Sequence, residues 1–145
     1  MSNLKFTFSG ESKNATKFVG KARDFEIAID EPPVLGGNDE APNPVEYTLA
    51  SLAGCLNVVA YIVAKERNIT IESLKIDLEG NLNPAKFLGQ DMTNRAGFQN
   101  IDVKVYIKSD VSPEVLADWL RVVKERCPVT DNLANDTPIN VELIS

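Results

Sequence analysis

Near the start of the chain, apolar and polar residues alternate in short runs: Lys5 to Ser9, Thr16 to Lys21, and Phe25 to Ile29, the last with Phe25, Ile27 and Ile29 on one side. A period of two is that of a half-buried strand, so the pattern predicts an N-terminal meander with a turn in the Gly10 to Asn14 region. The stretch EPPVLGGNDEAPNP, residues 31–44, is dense in Pro, Gly, Asn and Asp and predicts a surface loop before the first helix. Asn43 followed by Pro44 is a helix start: the Asn side chain accepts a backbone N–H, and Pro at the first helical position gives up a donor that had no partner. Glu46 then falls at the third helical position, where its carboxylate can close a capping box.

That helix is expected to run to about Arg67, and it is apolar on nearly every side from Leu49 to Ala64. A helix of this kind lies in the middle of something. A second subunit covering one face would supply the enclosure that one small chain lacks. Alternation then predicts a strand from Ile69 to Leu82, a loop through Asn83 to Asn94, and a strand from Phe98 to Lys108. Ser112 and Pro113 cap a second helix whose apolar stripe, Leu116, Trp119, Leu120, Val123 and Cys127, keeps helical spacing. Pro128 turns the chain at Cys127, with a short helical piece after it. Thr137 to Ile144 reads as a final strand. The whole is an α+β fold of antiparallel strands and two long helices, read as one domain over residues 1–145 with no internal repeat.

Composition narrows the chemistry. Apolar residues make up 43% of the chain and charged residues 25%, close to the globular average, so neither a disordered tail nor a fibrous repeat is implied. Acidic residues outnumber basic ones, 21 to 15, and the basic ones are scattered, which argues against nucleic acid as a partner. The opening MSNLKFTFSGESKNATKFVG has no continuous apolar stretch of signal-peptide length, so the expected location is the cytoplasm. The charge-free run from Tyr47 to Ala64 touches the lower length limit of a membrane span. It carries Thr48, Ser51 and Asn57 and opens on a helix cap, which suits a core helix better than a membrane.

The chain has 0 His, which removes Ser-His-Asp and Cys-His catalysis and the usual zinc spacings. Its 2 Cys, Cys55 and Cys127, cannot form a four-thiolate metal site, and no metal or cofactor is called for. A free cysteine on an apolar helix face is ordinarily a small buried hydrophobe, inert unless a cation stands near. Two such cysteines, each core-facing on a long helix, admit a second reading. A thiol in a pocket with another thiol behind it can reduce an oxidant: the first becomes a sulfenic acid, the second condenses with it, and an external dithiol reopens the disulfide. The cycle needs a positive charge beside the attacking thiolate. Arg67 lies about 18 Å along the helix from Cys55, too far to serve. Among Arg23, Arg95, Arg121 and Arg126, the choice falls on Arg23, just before the strand of Phe25, Ile27 and Ile29.

The run NPVEYTLASLAGCLN, followed far along the chain by the cysteine of ERCPVTDNL, resembles the OsmC/Ohr family, over nearly the whole chain. The resemblance implies an OsmC-like fold, an intertwined homodimer with the two long helices at its centre, and a site at the subunit interface. In the peroxidase members the first cysteine, here Cys55, attacks an organic hydroperoxide. The second, here Cys127, resolves the product, and lipoyl or similar dithiols reduce the pair. Those members also use an arginine from the N-terminal strands, for which Arg23 is the nearest match, and a glutamate directly after the Asn-Pro pair. Here Val45 holds that place and the carboxylate comes one residue later, at Glu46, a rotation of about 100° on a helix. The pattern is closer to the broader OsmC-like branch than to the Ohr branch.

The expected function is therefore thiol-dependent reduction of organic hydroperoxides in the response to oxidative stress, with Cys55, Cys127, Arg23 and Glu46 as candidate site residues. The alternative is a non-catalytic small-molecule binding protein with the same fold and pocket. A third reading, a structural dimer with buried thiols, predicts that both resist alkylation until unfolding.

Overall fold

Asn14 sets the first turn, its Oδ1 accepting the backbone N–H of Thr16 at 2.9 Å and of Lys17 at 2.8 Å. A short polar side chain that mimics a backbone acceptor is the usual device for such a turn. In the computed structural model, which describes residues 1–145, the strands it joins are β1 (Ser9–Ser12) and β2 (Phe18–Ala22). β3 (Phe25–Ile29) completes a three-stranded antiparallel sheet of order β1-β2-β3. The first strand thus lies later than the expected Lys5 to Ser9. The turn fixes Gly10 opposite Gly20, and residues before Ser9 find no pairing in this sheet. Gly20 has no room for a side chain, since a Cβ there would stand 2.5 Å from the Phe8 ring and the Ser9 carbonyl.

After β3 the loop is clamped by one carboxylate. Asp30 is fully buried, at 0% exposure; it accepts the Thr16 hydroxyl at 2.7 Å and the Glu40 N–H at 3.1 Å, while its own N–H reaches Pro42 O at 3.2 Å. The Thr16 hydroxyl and the Glu40, Glu31 and Asn38 backbone donors hold its pKa down at about 2, against the opposing effect of burial. A single 3₁₀ turn, Pro33–Leu35, ends at Gly36 with φ 90°.

The chain divides into two compact units, residues 1–48 and 49–145. Helix α1 (Pro44–Glu66) starts in the first and runs through the second. It ends where Asn68 takes φ 55° and Ile69 N–H bonds Ala64 O at 2.8 Å, a left-handed C-terminal stop. That stop delays the next strand from the expected Ile69 to Ser73. Strands β4 (Ser73–Leu82) and β5 (Phe98–Lys108) pair antiparallel, Leu74 opposite Ile107 and Ile76 opposite Val105. Ser112 caps α2 (Pro113–Arg126) by accepting Val115 N–H at 3.3 Å, and α3 (Pro128–Ala134) follows the Cys127 corner.

The core of this unit consists of Leu52, Leu56, Val59, Ala60 and Val63 of α1 with Trp119, Val123 and Cys127, against which Leu74, Ile76, Val105 and Ile107 pack. By length and composition α1 could also cross a membrane, but here its buried residues form this core. Trp119 donates its indole N–H to Ala60 O at 2.9 Å, fastening α2 to α1. The expected strand from Thr137 to Ile144 is absent. Its apolar residues Ile139, Val141 and Leu143 are 82%, 90% and 94% exposed, so the alternation is real but has no strand beside it in this chain.

Candidate active site

The start of α1 forms as its sequence requires. Asn43 Oδ1 accepts Glu46 N–H at 2.9 Å, and Glu46 Oε1 accepts Asn43 N–H at 2.8 Å, a complete capping box. The Glu46 carboxylate is therefore engaged at the helix end. Val45 precedes it, 37% exposed. Tyr47 donates its hydroxyl to Ala28 O at 2.7 Å, tying the helix start to β3. Arg23 occupies the β2–β3 turn at φ 55°, exposed, with its guanidinium 4.8 Å over the Phe25 ring.

In the second unit, α1 carries Cys55 among Leu52, Leu56 and Val59, half-buried against the core. Cys127 stands between α2 and α3 with φ −79° and ψ 113°, the extended conformation that a following proline enforces. It is 1% exposed. Its Sγ accepts Thr130 N–H at 3.4 Å, so the cysteine serves as the cap of α3. Arg126, just before the corner, grips Glu66 at the end of α1 with two hydrogen bonds of 2.6 and 3.0 Å. This two-pronged contact raises the Arg126 pKa, lowers that of Glu66, and holds the Cys127 corner to the helix that bears Cys55.

Cys55 packs against the core that contains Cys127, both are free thiols, and each acts on the other's ionisation. Their environments pull them apart. Burial pushes Cys55 up, and hydrogen bonding to Cys127 and its charge add to this, opposed only by the Val129 N–H. Burial acts upward on Cys127 too, but the Thr130 hydroxyl and N–H, the Cys55 thiol and the Val129 N–H outweigh it, and the net shift is down.

The arginines of this unit are largely committed elsewhere. Arg67 pairs with Asp118, Arg121 with Asp118 and Glu125, and Arg126 with Glu66, while Arg95 is exposed in the loop after β4. Of the four residues singled out from the sequence, the structure brings Cys55 and Cys127 together. It places Glu46 in the helix cap and Arg23 in a turn of the first unit. Thr130, which touches Cys127, was not among them. Its signal was present, since a residue followed by Pro at the first helical position is a cap, and a cap takes its hydrogen bond from the residue three places on.

A family model for OsmC-like proteins matches residues 36–142. The structure superposes on an OsmC-like protein from Mycoplasma pneumoniae with a TM-score of 0.79 at 20% identity, covering 92% of this chain and 89% of that one. An organic hydroperoxide resistance protein from Legionella pneumophila aligns with a TM-score of 0.66 at 18% identity, covering 92% and 91%. Another of that description, from Elizabethkingia anophelis, gives 0.66 at 17%, covering 90% and 88%. At such identities the likeness speaks for the fold. No curated protein matches the chain. With the family model spanning most of its length, and with the α+β fold of those structures, the chain belongs to the OsmC-like protein family.

Proposed function

We propose that the protein is a thiol-dependent reductase of organic hydroperoxides, working as a homodimer. The observation that carries this reading is the pair itself: two free thiols, distant in sequence, that meet at one core and act on each other's ionisation. Cys55 as thiolate attacks the terminal peroxide oxygen; the O–O bond breaks, an alcohol leaves with a proton, and Cys55 becomes a sulfenic acid. Cys127 attacks that sulfur, the S–S bond forms, and the oxygen leaves as water. An external dithiol, lipoyl or similar, then exchanges with the disulfide and restores both thiols. Two relatives in fold carry the name of organic hydroperoxide resistance proteins, which supports this choice of oxidant. Arg23 is our candidate for the cation that holds the Cys55 thiolate; Glu46, the candidate carboxylate, is engaged in the capping box with Asn43.

Cys55→Ser is expected to abolish peroxide consumption, whereas Cys127→Ser leaves a sulfenic acid that a specific probe traps. Equal loss of the first oxidation step in both variants would contradict these roles.

One observation favours a second reading, a small-molecule binding protein that keeps the fold without turnover. The Cys55 pKa is raised, and the carboxylate of Glu46 is occupied in the helix cap. Under that reading organic peroxide leaves both thiols free.

A further inference from the structure

Two ion pairs tie α2 to the end of α1. Arg67, just past α1, meets Asp118 early in α2. Arg126, the last residue of α2, meets Glu66, the last residue of α1, through both terminal guanidinium nitrogens at 2.6 and 3.0 Å. A planar fork laid on a carboxylate fixes direction as well as distance, which a single contact does not. The residue fixed in this way is bonded to Cys127, whose side chain lies in the core against which Cys55 packs. Pro128 has no N–H with which to extend α2, so the grip falls on the last turn before that break.

We propose that Glu66 and Arg126 are positioning residues for the Cys55–Cys127 disulfide, their ion pair holding the corner that carries Cys127 where its thiol closes on Cys55. This rests on the peroxidase reading above only for its place in the cycle. With glutathione as the reference couple, the two thiols give up two electrons and two protons, the S–S bond forms, and one glutathione disulfide is reduced to two glutathione. The constant for that exchange measures how well the fold holds one thiol against the other. An ion pair and a disulfide that both draw the corner to α1 favour one another by the same factor. Loss of the ion pair is expected to lower the constant by about threefold to fivefold, the scale of an exposed pair of good geometry. The two side chains are 43% and 51% exposed, so added salt screens the pair and is expected to lower the constant of the unaltered chain as well.

Redox titration of the full chain in glutathione buffers, with free thiols counted by alkylation and mass, tests this. Glu66→Gln and Arg126→Gln are each expected to lower the constant and to remove its salt dependence. The double variant is expected to fall no further than either alone, because both changes break one interaction. Arg126→Lys, which keeps the charge and loses the fork, is expected to lie between them and the unaltered chain. Asp118→Asn breaks the other ion pair, about two turns before the corner, and is expected to lower the Tm with little change in the constant. An unmoved constant in the folded Gln variants would overturn the proposal, as would additive losses or an equal shift in Asp118→Asn. Should the Gln variants not fold, a constant indifferent to salt in the unaltered chain would overturn it, and so would a chain that forms no disulfide at any glutathione ratio. A chain that shows these shifts yet ignores organic hydroperoxide would instead defeat the peroxidase reading and leave the positioning role standing.

Discussion

Val45 is the residue that bears most directly on how fast Cys55 could react. It stands at the second position of α1, where a carboxylate is favoured by the unpaired N–H groups of the helix start, and it is exposed enough to accept one. Glu46 is turned away by one residue and spends its carboxylate on Asn43. On the proposed reading, the arginine that must hold the thiolate is therefore less firmly oriented than it would be beside a glutamate in place of Val45. Val45→Glu is expected to speed the reaction of Cys55 with an organic hydroperoxide by on the order of tenfold, the worth of one charge-assisted hydrogen bond. Second-order oxidation rates of the wild type and the variant, with thermal melts to check folding, measure this. An unchanged or lower rate in a well-folded variant would mean that the site does not draw on a carboxylate there. Because the Cys55 pKa is raised, both rates are expected to climb with pH as its thiolate fraction grows.

At the scale of elements, Asp30 does for the 31–42 loop what a cap does for a helix. Its carboxyl is held at about 2, below the ordinary carboxylate value near 4, so its stabilising effect is fully present above about pH 4 and is lost as pH falls toward about 2. Asp30→Asn offers an amide N–H₂ where the Thr16 hydroxyl or the Glu40 N–H now donates. Thermal melts are expected to show a lower Tm for the variant at neutral pH and a shallower fall in Tm through the acid range. Parallel acid limbs would mean that the clamp contributes nothing. Elements with local signals were legible from the sequence: the Asn43–Pro44 start with Glu46, the Phe25–Ile29 and Phe98–Lys108 strands, and the Ser112–Pro113 start. Elements set by a partner were not. Lys5 to Ser9 and Thr137 to Ile144 alternate as strands do, yet pairing depends on a neighbour that alternation does not reveal, and Ile69 was absorbed by the helix stop at Asn68. The cysteine pair was legible because both residues lie on apolar helix faces. The Thr130 contact was not, because Cys127 is both the end of α2 and the cap of α3, and the signal of Pro128 that stops one helix masks the start of the next.

For the molecule as a whole, apolar surface remains to be covered. Val58, Tyr61 and Ile62 of α1 are 57%, 48% and 45% exposed, and the C-terminal segment exposes Ile139, Val141, Leu143 and Ile144. Covering a large apolar side chain fully contributes about 1.5–3 kcal/mol, so a second copy seated on these residues would be strongly favoured. Sedimentation of dilute protein is expected to give about twice the chain mass of 15.9 kDa, and a stable monomer would remove the proposed interface along with the dimer.

Titrating the thiols of the reduced protein against an organic hydroperoxide tests the central claim most directly. If Cys55 and Cys127 form one redox unit, a single equivalent of peroxide per chain removes both free thiols, an equivalent of a lipoyl dithiol restores them, and the cycle repeats. Two thiols that survive an excess of peroxide in the folded protein, or that disappear independently without forming a disulfide, would contradict it.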